Sequence, residues 1–167
     1  MRYGTAVIVW ATALALSGCA GRRESQVRVD GTVDVASYHR IGVAAFSDRT
    51  GQGRAVADAI EAALVREMFE PVDEKVLAQV LAKYKPDPDT GFGIEALEML
   101  RSQSGADALI MGRMASDWSA ASVNMIETNT GAPVLHAILR PRGKNKEVFA
   151  TPEEVSQEFA RVFAKLR

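Results

Sequence analysis

Apolar positions recur along this chain with two periods, and the switch between them marks out the elements. Residues 41–46 form a short apolar run (Ile41, Val43, Ala44, Phe46) bounded by turn residues, which predicts a buried strand. Behind the loop 47–53, Val56, Ile60, Leu64 and Met68 return every four residues with Ala59 and Ala63 beside them. Arg54, Asp58 and Glu61 turn away, so residues 54–69 predict a helix with one apolar stripe for one sheet face. Glu70, Pro71 and Val72 make a short strand at most. Asp73 is a good N-cap for a second helix striped by Val76, Leu77, Val80, Leu81 and Tyr84. Prolines and glycines in 85–93 stop that helix in an exposed loop. A third helix spans 94–104 and ends at Gly105. The run Ala108, Leu109, Ile110, Met111 predicts a central strand continuing toward Trp118. Strands at 121–127 and 134–139 follow, joined by a turn-rich hairpin connection at 128–133. The last helix carries Thr151 as N-cap, Pro152 at its first position and Glu154 placed for a capping box. Its stripe is Val155, Phe159, Val162, Phe163 and Leu166.

Helices alternating with strands, then a hairpin, imply an α/β (α+β) fold: a mixed sheet with helices packed on it. Upstream, 27–30 and 32–35 alternate apolar and polar residues around Gly31, the period of a half-exposed strand or extended arm. No internal repeat is visible. The chain of 167 residues, 47% hydrophobic and 25% charged, suffices for one domain with a proper core. A formal net charge of −1 gives no general electrostatic reason to bind nucleic acid.

The first residues stand outside this pattern. Arg2 precedes an uncharged stretch, 3–21, with an apolar centre around Ile8 and Leu14, too short to span a membrane convincingly. It reads as a secretory signal peptide over 1–18. Leu16-Ser17-Gly18-Cys19 resembles the lipobox of bacterial lipoproteins, which implies acylation of Cys19, the only cysteine, and cleavage before it. Each buried methylene contributes about 0.8 kcal/mol, so two chains anchor stably where one is marginal. Similarity to lipoprotein sorting makes Ala20 a pointer to the periplasmic face of the outer membrane. Without Arg2, 19 basic residues face 21 acidic ones, a formal charge of −2. With no second cysteine, no intramolecular disulfide is available, so the core must hold by packing. Residues 19–26 form a short tether, and 27–167 one periplasmic domain.

Ile41-Gly42-Val43-Ala44-Ala45-Phe46-Ser47-Asp48 with Gly51 resembles the opening strand and loop of the CsgG, LpoB and PelC group of envelope lipoproteins, related in fold to the N-terminal domain of TolB. Gly105-Ala106-Asp107-Ala108-Leu109-Ile110-Met111-Gly112-Arg113 resembles the strand after the third helix of that group. Residues 122–131, ending in Thr130-Gly131, resemble its hairpin. The resemblance covers roughly 38–166 and implies a non-enzymatic accessory: an export pore, a periplasmic ring for a polysaccharide, or an activator of a peptidoglycan synthase. This chain is too short for the pore builder's barrel segments and lacks the activator's long linker. The expectation is therefore a lipid-anchored homo-oligomer working with another envelope protein or export machinery, the alternative being regulation of a peptidoglycan synthase.

Candidate chemistry is sparse. Gly51-Gln52-Gly53 between strand and helix suggests a phosphate loop with Asp73 as ribose acid, but Val56 replaces the third glycine, and a tight turn accounts for it. His39 and His136 have no partners at metal-ligand spacing. No catalytic constellation and no cofactor is expected beyond the covalent lipid on Cys19. Arg140, Arg142, Lys144 and Lys146 alternate along the segment before the last helix and read either as a contact for an anionic polymer, head group or acidic partner, or as a solvated loop end. Trp118 with Asp117 reads either as a sugar-stacking or subunit contact or as a hairpin aromatic covering the core. The loop 85–93 is a further interface candidate.

Overall fold

A computed structural model describes residues 24–29, 34–84, 92–143 and 145–166. It is a mixed sheet of six strands in the order β1-β6-β5-β4-β2-β3, with helices on both faces. The strands are β1 (Gln26–Val29), β2 (Arg40–Val43), β3 (Glu70–Pro71), β4 (Ala108–Met114), β5 (Ala121–Glu127) and β6 (Pro133–Leu139). The helices are α1 (Gly53–Arg66), α2 (Glu74–Lys83), α3 (Ile94–Ser104) and α4 (Pro152–Phe163). β2 pairs in parallel with β3 and β4, joined by the crossovers through α1 and α2–α3, while β4, β5, β6 and β1 pair antiparallel. Among the described residues no helix is long and apolar enough to cross a membrane.

Strand alternation divides the apolar side chains into two cores. Ala108 and Ile110 of β4, Ala121, Val123 and Met125 of β5, and Leu135, Ala137 and Leu139 of β6 meet α1 and α4 on one face. Leu109, Met111 and Ile126 meet α2 and α3 on the other. Phe159 stacks on Phe163 with centroids 5.2 Å apart, and Phe69 meets Phe163 edge-on at 5.6 Å. These rings close the seam between α1 and α4.

Several expected boundaries move. The run 41–46 is strand only to Val43. Ala44 still donates to the Ile110 carbonyl, but Phe46 donates to Gly53 instead, and pairing with β4 resumes at Ser47, whose N–H reaches the Gly112 carbonyl. α1 stops at Arg66, so Met68 lies beyond the helix rather than on its stripe. Its φ is 70° and it is 88% exposed. The bonds from Met68 N–H to Val65 and from Phe69 N–H to Leu64 form a Schellman ending that turns Met68 outward. Of the extended arm at 32–35, Val35 is instead buried at the start of a short 3₁₀ turn capped by Asp34; 30–33 lie outside the described residues. A bulge opposite Met125 and Ile126 turns Val134 into the core, whereas His136 stays in the regular ladder, exposed on the face of Ile138.

Other expectations hold. Asp73 accepts from the N–H groups of Lys75 and Val76, and Gly105 ends α3 with φ 66°. Gly51 has φ 77°, and a Cβ on Gly53 would lie 1.8 Å from the Phe46 carbonyl oxygen. The two glycines thus serve a tight strand-to-helix turn.

Candidate functional site

Strand direction gathers several of the sequence candidates at one end of the sheet. β2 and β4 finish there, β5 starts there, and β6 finishes there beside the first residues of β1. Loop 44–52, the hairpin 115–120, the segment 140–151 and the point where the N-terminal tether joins the domain therefore share that end.

The tether is held there. The Ser25 hydroxyl donates to a Glu158 carboxylate oxygen at 2.5 Å and accepts the Arg140 N–H at 3.0 Å. Arg161 donates to the same carboxylate. Ser25 and Gln26, tether residues by composition, are thus part of the folded edge. Burial opposes ionisation of Glu158, but the hydrogen bonds from Arg161 and Ser25 outweigh it and hold the carboxyl below its ordinary range. Glu158 was not singled out from the sequence. The available signal was a carboxylate next to Phe159 on the buried stripe of α4, three residues after Val155.

Beside this clasp, Arg142, Lys146, Glu154, Glu158 and Arg161 line an open cleft of about 220 Å³ floored by Phe149. Lys146 pairs with Glu154, which also accepts the Ala150 N–H at 2.8 Å. That backbone bond first, then Lys146, lowers the Glu154 carboxyl. The capping box is therefore incomplete: Glu154 reaches back to the chain, while the Thr151 hydroxyl makes no cap bond. Arg140 contributes its backbone to the Ser25 clasp, and Lys144 and Cys19 lie outside the described residues.

Trp118 sits in the β4–β5 hairpin with φ 59°. Its carbonyl accepts the Phe149 N–H at 2.9 Å, and its ring packs half-buried against the α1–α4 core. Asp117 is exposed, and hydrogen bonds from the Ser119 hydroxyl first and then from the Ser119 N–H, at 3.0 Å, lower its carboxyl. The hairpin and segment 140–151 are thus one connected surface. A second cleft of about 400 Å³ separates Ser47, Asp48 and Arg49 from Arg113 and Ser116. Asp48 spends its carboxylate on the N–H groups of Thr50 and Gln52, a structural turn. Of loop 85–93, residues 85–91 lie outside the described residues. Among the described residues, no group of three or more His, Cys, Asp or Glu is placed to hold a metal.

No protein-family model matches the chain, and no curated protein matches it significantly. Solved structures do. A PelC variant from Paraburkholderia phytofirmans, solved as a dodecamer, aligns with TM-score 0.54 at 15% identity, over 85% of this chain and 97% of that one. The chain has a PelC-like fold. TolB from Acinetobacter baumannii aligns with TM-score 0.52 at 9% identity over 86% of this chain, which spans 30% of TolB. A DUF4136 family protein from Bacteroides thetaiotaomicron aligns with TM-score 0.51 at 7% identity, over 85% of this chain and 95% of that one. At these identities the likeness is one of fold.

Proposed function

We propose that this chain is a non-enzymatic envelope lipoprotein, anchored by acylated Cys19 at the periplasmic face of the outer membrane, that assembles with copies of itself to serve the assembly or export of an envelope polymer. The observation that carries the reading is the match to nearly the whole of the PelC chain, a protein solved as a dodecamer. The lipobox-like Leu16-Ser17-Gly18-Cys19 supports the anchor. Anchoring confines copies to one surface, raising their effective concentration so that weak contacts suffice for a ring. The Ser25 clasp supports a fixed pose: six residues from Cys19, an extended tether reaches about 20 Å.

The test is fractionation and mass of the full-length protein. Wild type is expected in the outer-membrane fraction, and Cys19→Ser in an unprocessed or soluble form. Light scattering on the detergent-solubilised wild type should then give a discrete oligomer. An unchanged membrane fraction for Cys19→Ser overturns the anchor. A monomer overturns the ring and favours regulation of a peptidoglycan synthase.

A further inference from the structure

The two edges of the sheet differ. The β3 edge is two residues long, contains Pro71, which has no N–H to offer, and carries the Arg40–Glu70 ion pair. The β1 edge has no such guard: Gln26, Val27, Arg28 and Val29 pair with β6 in unbroken register, and no described strand lies beyond them. The ladder fixes where its backbone groups point. Ala115 donates to the Ala120 carbonyl and Thr128 to that of Asp107, so Ser122, Asn124 and Ile126 bond to β4, and the intervening Ala121, Val123 and Met125 bond to β6. His136 and Ile138 are therefore turned toward β1, in step with Arg140, whose N–H reaches Ser25. Their partners are Arg28 and Gln26, which leaves the N–H and C=O groups of Val27 and Val29 directed off the sheet. The same two side chains, opposite Ala137 and Leu135 on the α1–α4 face, remain 37% and 38% exposed.

We infer that β1 pairs antiparallel with β1 of a second copy about a two-fold axis at Val27, joining two six-stranded sheets into one. Charge selects this register. An axis at Arg28 would set Arg28 against the partner's Arg28, like charges in the close, non-hydrogen-bonded position. An axis at Val27 sets Val27 against the partner's Val27 and Gln26 against the partner's Arg28, so each guanidinium meets a carboxamide oxygen and the outward backbone groups pair. The tether favours a second copy over an unrelated strand. It enters beside this edge through Ser25, and the two tethers of the pair lie about 14 Å apart along the strands. With the axis along the membrane normal, both Cys19 anchors reach one membrane, and shared anchoring makes a short contact sufficient. A two-fold contact closes on itself, so any larger assembly uses a second surface. The inference deepens the proposed self-assembly by naming a contact, and rests on that reading for the shared membrane alone.

The experiment is oxidative crosslinking of the full-length protein in its membrane fraction. Val27→Cys should give a disulfide-linked dimer, because its two Cα atoms face each other at about 5.5 Å. Val29→Cys should give at least about tenfold less, its two copies being about 14 Å apart. Wild type, whose only cysteine is Cys19, should give none. Each variant is also made in a Cys19→Ser background, so a wild type that crosslinks through a free Cys19 sinks the anchor while the β1 contact is still read at position 27. In detergent, Gln26→Glu should lower the dimer dissociation constant about threefold or more and Gln26→Lys raise it as much, since position 26 faces the partner's Arg28 twice per dimer. All three positions are exposed, so the variants retain the fold. No crosslink at 27, equal crosslinking at 29, or a shift in the same direction for both Gln26 variants overturns the proposal. A protein that stays monomeric, its β1 edge open to a different extended chain, overturns it as well.

Discussion

Met68 occupies the position at which helices commonly end in glycine. Its left-handed backbone strains a residue with a Cβ, and its side chain gains little burial in exchange, being 88% exposed. Met68→Gly should therefore stabilise the fold by about 0.5–1 kcal/mol, the relieved strain less the added chain entropy, read as a higher urea midpoint. Gly112 shows the opposite constraint: a Cβ there would lie 2.4 Å from both the Phe46 ring and the Ser122 carbonyl oxygen, so β4 passes under Phe46 only as glycine. The spacing of Met68 with Leu64 concealed its exposure, because a repeat of four extends any stripe while the Schellman bonds end the helix two residues sooner.

At the scale of elements, α4 has two jobs. Its aromatic stripe seals the core against α1, and Glu158, on its buried side, holds the edge strand β1 through Ser25. Because the Glu158 carboxyl is held below its ordinary value in the fold, its contribution is complete above the unfolded-state pKa of about 4.5 and is lost as pH falls toward the lower folded value. Glu158→Gln should leave stability less dependent on pH below about 4.5 and speed hydrogen exchange at β1. If wild type and variant lose stability in parallel on acidification, the clasp does not depend on this ionisation. Helices α2 and α3 were legible from capping and stripe. The shortening of β2 was not, since the apolar run continues through Phe46 while closure of the loop 47–52 diverts the Phe46 N–H to the Gly53 carbonyl.

For the whole molecule, the sheet brings the hairpin of Trp118, the segment with Arg142 and Lys146 and the docked tether to one end. If that end forms the subunit contact, Arg142→Glu should reduce oligomer mass in detergent with no change in thermal midpoint, since Arg142 is exposed. Unchanged mass would remove segment 140–146 from the interface. Trp118→Ala should also lower the midpoint, because the ring packs on the core.

Local chemistry by itself determined the order of elements, the Asp73 cap, the Gly105 ending and the mixed-sheet class, since each depends on residues a few positions apart. The resemblance of residues 41–51 and 105–113 to an envelope group pointed to the fold that the PelC and TolB structures share with this chain. Tertiary structure decided what depends on distant partners. Ser25 meets Glu158 across 133 positions, and a bulge in β6 turns Val134 into the core. The row of Arg28, His136 and Asn124 exists only because three strands far apart in sequence lie side by side. Periodicity reports which face of its own element a residue occupies. Whether a helix covers that face is set by the packing of the whole chain.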